Sequence, residues 1–155
     1  MKVVSIREPY ASLIKDGIKT IETRSWRTKY RGPIYIHSCM SKYKIKDNVN
    51  KLIKSELKYG YILCKAELVD CIYMDEDFIE QEKNRDYNNF ICGRYEVGRF
   101  AWILKNIEIL DEPIEIKGQL GLWNYDELKK WQTIIEIFIN KWYNKFRKTL
   151  GGITW

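Results

Sequence analysis

Three charged residues lie close together in sequence near the start of the chain, in the octapeptide Gly17-Ile18-Lys19-Thr20-Ile21-Glu22-Thr23-Arg24. Lys19, if partly desolvated near other cations, is a candidate base or nucleophile. Glu22 is suited to reading the amino group of a base or to relaying a proton, and Arg24 to holding a phosphate by a bidentate fork. The pattern predicts either a binding or catalytic site or a solvated, charged edge strand.

The backbone must place these residues, and a regular strand would separate them. Side chains alternate between the two faces of a strand, so Glu22 and Arg24 would point one way and Lys19 the other. Gly17 follows a short predicted helix, and a glycine in the left-handed conformation permits a sharp change of direction there. We therefore expect a turn or bulge just after Gly17 if Lys19 shares a cleft with the other two side chains.

Aromatic and basic residues are interleaved in the segment Ser25-Trp26-Arg27-Thr28-Lys29-Tyr30-Arg31, which follows directly. Arg27 is suited to pairing with a phosphate, and Trp26 offers a surface on which a base can stack. Tyr10, from the helix before the octapeptide, is a second candidate stacking surface. Trp26 and Tyr10 are equally suited to closing the hydrophobic core.

The charge of the chain favours a polyanionic partner. Its 155 residues carry a formal net charge of +6. Residues 15–58 are rich in lysine and arginine, whereas the charged residues between 70 and 82 are all carboxylates. This segregation is typical of a molecule whose faces differ in charge.

Membrane and metal chemistry are not expected. No apolar run approaches the roughly 18 residues that span a bilayer, so we expect no membrane partner and a cytoplasmic location. The four cysteines form no Cys-x-x-Cys pair and the chain has a single histidine, which predicts no metal site and no other cofactor. His37 and Cys39 share a strand face, where they form either a Cys/His catalytic pair or simple packing neighbours.

The elements predict an α+β fold of one domain. Strand patterns dominate residues 2–7, 34–37, 59–73, 99–104, 107–110 and 114–118, with a turn at Glu112-Pro113. Helices are expected over 10–15, from Asp47 to about Lys58 and around Asp77 to Glu82. This order predicts a small β-barrel flanked by short helices. Residues 126–148 show apolar side chains at helical spacing, which predicts an added C-terminal amphipathic helix. We expect residues 127–155 to pack on domain 1–126, with a homodimer contact as the alternative.

Several segments together resemble the ASCH domain, a relative of the PUA domain. The segments that carry the resemblance are Ser5–Ile14, Gly17–Trp26, Tyr30–His37, Gly93-Arg94-Tyr95, Gly98–Trp102 and Lys117–Trp123. The resemblance implies a PUA-like fold for residues 1–126 and a cleft with Lys19, Glu22 and Arg24 at its mouth. It also implies RNA or a modified nucleoside as ligand, and a role in RNA metabolism or translation regulation.

Two enzymatic alternatives follow from the same resemblance. Some bacterial relatives are small amidohydrolases that act on acetylcytidine through a lysine, a threonine and a glutamate. Lys19 matches their lysine, Glu22 occupies the place of their threonine, and Glu82 or Glu80 is the candidate for their glutamate. The other alternative is a metal-independent ribonuclease, in which Lys19 and Glu22 share proton transfer and Arg24 stabilises the charge on the phosphorane. Whether the protein is an enzyme stays open at this point.

Overall fold

The computed structural model describes residues 1–150, except for the side chains of residues 129, 130, 133 and 148–150. Residues 151–155, which belong to the predicted C-terminal extension, lie outside the described residues. The chain divides into two compact units, one from Met1 to Asn124 and a second that starts at Tyr125. The predicted packing of the extension on domain 1–126 stays a prediction.

The first unit combines six strands with four short helices. In chain order its elements are β1 (Lys2–Ile6), α1 (Tyr10–Lys15), β2 (Ile21–Arg24), β3 (Gly32–Ser38), α2 (Asp47–Asn50), β4 (Tyr61–Tyr73), α3 (Glu76–Arg85), α4 (Tyr87–Ile91), β5 (Phe100–Glu115) and β6 (Leu122–Asn124). The predicted α+β class is confirmed.

All six strands belong to one mixed sheet with the order β2-β5-β4-β3-β1-β6. Strand β1 runs parallel to β3, and the other four neighbouring pairs are antiparallel. The predicted barrel needs a correction in one detail: the sheet is open. Its two edge strands, β2 and β6, are four and three residues long and do not pair with each other. Closure would need such a pairing.

The hydrophobic core lies where α1 packs against the middle of the sheet. Ala11 and Ile14 of α1 join side chains of β1, β3, β4 and β5 in one buried cluster, with Trp102 of β5 fully buried among them. The ends of β1, β2 and β3 lie beside this core. They carry some of the residues that line the candidate site described below.

The second unit contains one long helix, α5 (Glu127–Leu150). Its N-terminus is capped by Asp126, whose Oδ1 accepts a hydrogen bond of 3.0 Å from the backbone N of Leu128. Trp142 and Phe146, one turn apart, stack with ring centroids separated by 5.3 Å. The predicted amphipathic helix is confirmed. Among residues 1–150, no helix is long and apolar enough to cross a bilayer.

Candidate functional site

A sharp turn after α1 brings Lys19 towards Glu22. Gly17 has a φ of +75°, and the backbone N–H groups of Ile18 and Lys19 both donate to the carbonyl of Leu13 at 3.0 Å. The side chain of Asn89 in α4 then fixes the start of β2, because its Oδ1 accepts from the backbone N of Thr20 at 2.9 Å. The predicted turn at Gly17 is therefore confirmed.

Glu22 lies between two cations, and each of its carboxylate oxygens faces a different one. The Nζ of Lys19 is 3.2 Å from Oε2 and also donates to the carbonyl of Ile21 at 2.6 Å. The Nε of Arg24 is 3.1 Å from Oε1, although its N–H bond is not directed at that oxygen. Arg24 is anchored to β1 as well, since its Nη2 donates to the carbonyl of Ser5 at 2.8 Å. Lys19 is only 1% exposed, so its charge is balanced inside the protein.

A cavity of about 950 Å³ opens beside this triad. Its walls come from the ends of β1, β2 and β3 with the loops that follow them, from the start of α1, from the segment that joins α4 to β5, and from the loop before β6. Six cationic side chains line it, against two carboxylates, Glu22 and Glu96. The cations are Arg7, Arg24, Lys46, Arg94, Arg99 and Lys117. An excess of positive charge in a cleft with low-dielectric walls attracts anions.

Both predicted stacking residues line this cavity, and both also contact the core. Trp26 is half-buried and lies perpendicular to Trp102, with ring centroids 4.7 Å apart. Tyr10 is also half-buried, and its ring centroid lies 5.8 Å from the Nζ of Lys19. Trp26 and Trp102 meet edge to face, so they do not form the parallel stack that a bound base would form with Trp26.

The remaining predicted site residues lie elsewhere. Lys19 is behind Glu22 and is not part of the cavity wall, and Arg27 is exposed outside it. Glu82 in α3 holds the guanidinium of Arg85, and exposed Glu80 accepts a hydrogen bond from Asn84. Neither glutamate lines the cavity. The structure thus gathers Glu22, Arg24, Trp26 and Tyr10 around one space, with Lys19 supporting Glu22.

Arg94 and Arg99, which are not among the predicted site residues, join this site through Thr23. The backbone N of Arg94 donates to Oγ1 of Thr23 at 2.9 Å, and Nη2 of Arg99 approaches the Thr23 carbonyl at 3.4 Å. This fastens the segment between α4 and β5 to the end of β2. Arg94 is exposed and pairs with Glu96 at 2.8 Å. The only sequence signal for these residues was their position in the Gly93-Arg94-Tyr95 and Gly98–Trp102 segments of the resemblance.

A buried network around His37 forms the floor of the cavity. Its Nε2 lies 3.0 Å from the carbonyl of Ile116, an acceptor, so Nε2 carries the proton and Nδ1 accepts from the Ser5 hydroxyl at 3.1 Å. The Ser5 oxygen in turn accepts from Nε1 of Trp123 at 3.1 Å. Burial lowers the pKa of His37 from its usual value, and the hydrogen bond to Ile116 partly opposes this. Both ring nitrogens are therefore occupied by partners other than Cys39.

In the part of the chain that the structure describes, no group of three His, Cys, Asp or Glu side chains could hold a metal ion. The groups that line the cavity are instead donors, acceptors and aromatic rings. Their combination suits a planar, anionic ligand.

Comparisons with known proteins agree with the fold. The structure resembles the crystal structure of ASCH from Zymomonas mobilis, with a TM-score of 0.55 and 15% sequence identity, over 86% of this chain and 92% of that one. A crystal structure of a mutant of the same protein gives a TM-score of 0.53 at 15% identity, over 86% and 95% of the two chains. At this identity the likeness concerns the fold.

Sequence relatives are larger proteins. Human activating signal cointegrator 1 is 26% identical over 135 residues, and its mouse counterpart is 25% identical over 138 residues. Each match covers 79% of this chain, which spans 22% of the length of these relatives. The model of the ASCH domain family matches residues 4–138. The chain belongs to the ASCH domain family.

Proposed function

We propose that this protein binds RNA or a modified nucleoside in the cavity lined by Glu22, Arg24, Trp26 and Tyr10, in a role in RNA metabolism or translation regulation. The observation that carries the proposal is the composition of the cavity wall: six cations against two carboxylates, with two half-buried aromatic rings. Cations hold phosphates, and exposed aromatic faces stack bases irrespective of their sequence.

The geometry supports binding more strongly than catalysis. A lysine that acts as base or nucleophile must reach its substrate, whereas Lys19 is almost fully buried and donates to the Ile21 carbonyl. Glu82 and Glu80, the candidates for the glutamate of the amidohydrolase alternative, do not line the cavity, and Glu82 is paired with Arg85. The same burial of Lys19 weighs against the ribonuclease alternative.

A salt titration tests the proposal with a labelled nine-nucleotide oligouridine, followed by fluorescence anisotropy. Replacing Arg7, Lys46 and Lys117 by glutamine removes three exposed cations from the cavity rim. We expect affinity to fall at least about tenfold, and the slope of log K against log salt to decrease by roughly 2, since each phosphate contact on a single strand contributes about 0.7.

The matched control removes three exposed lysines outside the cavity, by replacing Lys54, Lys83 and Lys105 with glutamine. It changes the net charge by the same amount. Equal weakening in both triple variants would show that RNA binds through overall charge and would contradict a role for the cavity.

A separate experiment checks the enzymatic alternatives. RNA and acetylcytidine are each incubated with the protein and then analysed by chromatography. New products in either sample would overturn a purely binding function.

We also propose that α5 provides a homodimer contact, because a row of its apolar side chains is exposed. Trp131, Phe138 and Trp142 are among them, with 60%, 70% and 65% of their surface accessible. Apolar patches of this kind mark interaction surfaces. Light scattering should give the mass of a dimer for the full chain and of a monomer for the variant with Phe138→Glu and Trp142→Glu. A monomeric full chain at high concentration would refute the contact.

A further inference from the structure

We propose that Glu22 selects the base in this cavity and favours an edge with two adjacent N–H donors, which among the four standard bases is the Watson–Crick edge of guanine. The inference rests on the proposed binding of RNA or a nucleoside and names the base that this site would prefer.

Each carboxylate oxygen of Glu22 has a different cationic neighbour. Lys19 approaches Oε2 and Arg24 approaches Oε1, so neither cation spans the carboxylate as a bidentate fork. An ionised carboxylate has about four lone-pair sites and donates no hydrogen bond. Lys19 approaches one of these sites on Oε2, and the Nε–H of Arg24 is not directed at Oε1, so each oxygen can still accept a hydrogen bond. Glu22 also lines the cavity, and 11% of its side chain surface is exposed.

Two parallel acceptors match two parallel donors. The N1–H and the N2 amino group of guanine lie side by side on one edge, at the spacing of the two oxygens of a carboxylate. Cytosine and adenine offer only one exocyclic amino group on that edge. Uracil has one N–H between two carbonyl oxygens, which a carboxylate repels. The pairing with guanine is therefore the one that uses both oxygens.

Neighbouring residues favour a base in this position. Trp26 lines the same cavity and is half-buried, so it offers part of its ring to a planar ligand. Arg24 lies beside Oε1 and carries donors suited to a carbonyl oxygen such as O6 of guanine. The cations of the rim are placed to hold the flanking phosphates.

Glu96 is the natural control. It is the other carboxylate of the cavity wall, but it is exposed and its Oε1 already accepts from Nε of Arg94 at 2.8 Å. Hydrogen bonds in open water discriminate weakly, because water replaces them. The Glu96→Gln variant should consequently leave base preference unchanged.

The experiment uses the full chain and five nine-nucleotide oligouridines that differ only at the central position, which holds guanosine, inosine, adenosine, cytidine or uridine. Inosine is guanosine without the N2 amino group. We expect the guanosine oligomer to bind most tightly and the inosine oligomer about tenfold more weakly, the loss typical of one hydrogen bond to a charged acceptor. The Glu22→Gln variant should bind both oligomers equally, whereas Glu96→Gln should keep the difference.

The outcomes separate this inference from the function on which it rests. If the wild-type protein binds the oligomers but does not distinguish guanosine from inosine, the base preference is wrong and RNA binding stands. If it binds none of them, the proposed function fails and the inference fails with it. Should Glu22→Gln not fold, as judged by circular dichroism, the wild-type comparison of guanosine with inosine decides alone. A preference that Glu96→Gln also abolishes overturns the role given to Glu22.

Discussion

Lys19 and Glu22 form an ion pair of 3.2 Å across the turn that leads into β2, and both side chains are nearly removed from water. Three residues apart in sequence, they meet because Lys19 lies before the strand begins, where the alternation of strand faces does not yet apply. The lysine thus compensates and orients the carboxylate that faces the cavity. In the proposed site, Lys19 would therefore act as a positioning residue.

We expect the Lys19→Met variant to be destabilised by about 1–3 kcal/mol, because Glu22 loses one of its two cationic partners and the Ile21 carbonyl loses its donor. Urea unfolding at pH 7 measures the loss. The double variant Lys19→Met with Glu22→Gln should recover part of it, since the buried carboxylate charge is gone and Arg24 still donates to the Ser5 carbonyl.

A surface pair provides the comparison for this prediction. Lys65 and Glu108 lie 3.0 Å apart on the outside of the sheet. Lys65→Met should cost less than about 1 kcal/mol, as exposed pairs contribute little. Similar losses in Lys19→Met and Lys65→Met would contradict the account of the Lys19 pair.

Glu8 contributes less to the free energy of unfolding as the pH rises, which is the opposite of the usual behaviour of a carboxylate. The side chain is buried, and burial raises its pKa above 4.5 even though it accepts hydrogen bonds from the N and Oγ of Ser12. The folded state therefore binds a proton more tightly than the unfolded state. The contribution of protonated Glu8 to the free energy of unfolding is lost as the pH rises through the raised pKa. We expect Glu8→Gln, which mimics the protonated form, to be more stable than the wild type at pH 7. The difference should shrink towards pH 4 in urea unfolding, and an advantage that grows on acidification would refute this reasoning.

Much of the fold was predictable because local signals agree with the tertiary structure. The predicted helix over 10–15 and its end before Gly17 are found as expected, since a glycine with a φ of +75° suits that turn. The predicted helix from Asp47 to about Lys58 is wrong beyond Asn50, where α2 ends. Ser55 instead donates to Asp16 and accepts from Lys15, some 40 residues away, and such contacts are invisible to helical periodicity.

The site was predictable only in part, for a related reason. Glu22, Arg24, Trp26 and Tyr10 lie close in sequence to one turn, so their convergence follows from local structure. Arg94, Lys117 and His37 reach the cavity from three other segments. Their meeting depends on the order of strands in the sheet, and a single sequence does not reveal that order.

The single histidine makes stability fall on acidification. Because burial lowers the pKa of His37, its imidazole binds a proton less readily in the folded protein than in the unfolded chain, where it titrates near pH 6.5. Stability should decrease as the pH falls below about 6.5, by at most about 1.4 kcal/mol per pH unit. Urea unfolding at pH 7.5 and pH 5.5 measures the loss, and His37→Gln should reduce it. The single imidazole signal in NMR spectra gives the pKa directly, and a value above 6.5 would show that this explanation is wrong.

Gly118 is the position where the cavity floor tolerates no side chain. A Cβ added there would lie 2.4 Å from Cε1 of His37 and 2.9 Å from Oγ of Ser5. His37 is fully buried and both of its ring nitrogens are hydrogen-bonded, so the ring cannot move aside cheaply. We expect Gly118→Ala to destabilise the protein by about 1–3 kcal/mol, the usual cost of overpacking, measured by urea unfolding. In a His37→Ala background the obstructing ring is absent, and the same substitution should cost much less. An equal cost in both backgrounds would mean that Gly118 is required for its backbone conformation and not for its closeness to His37.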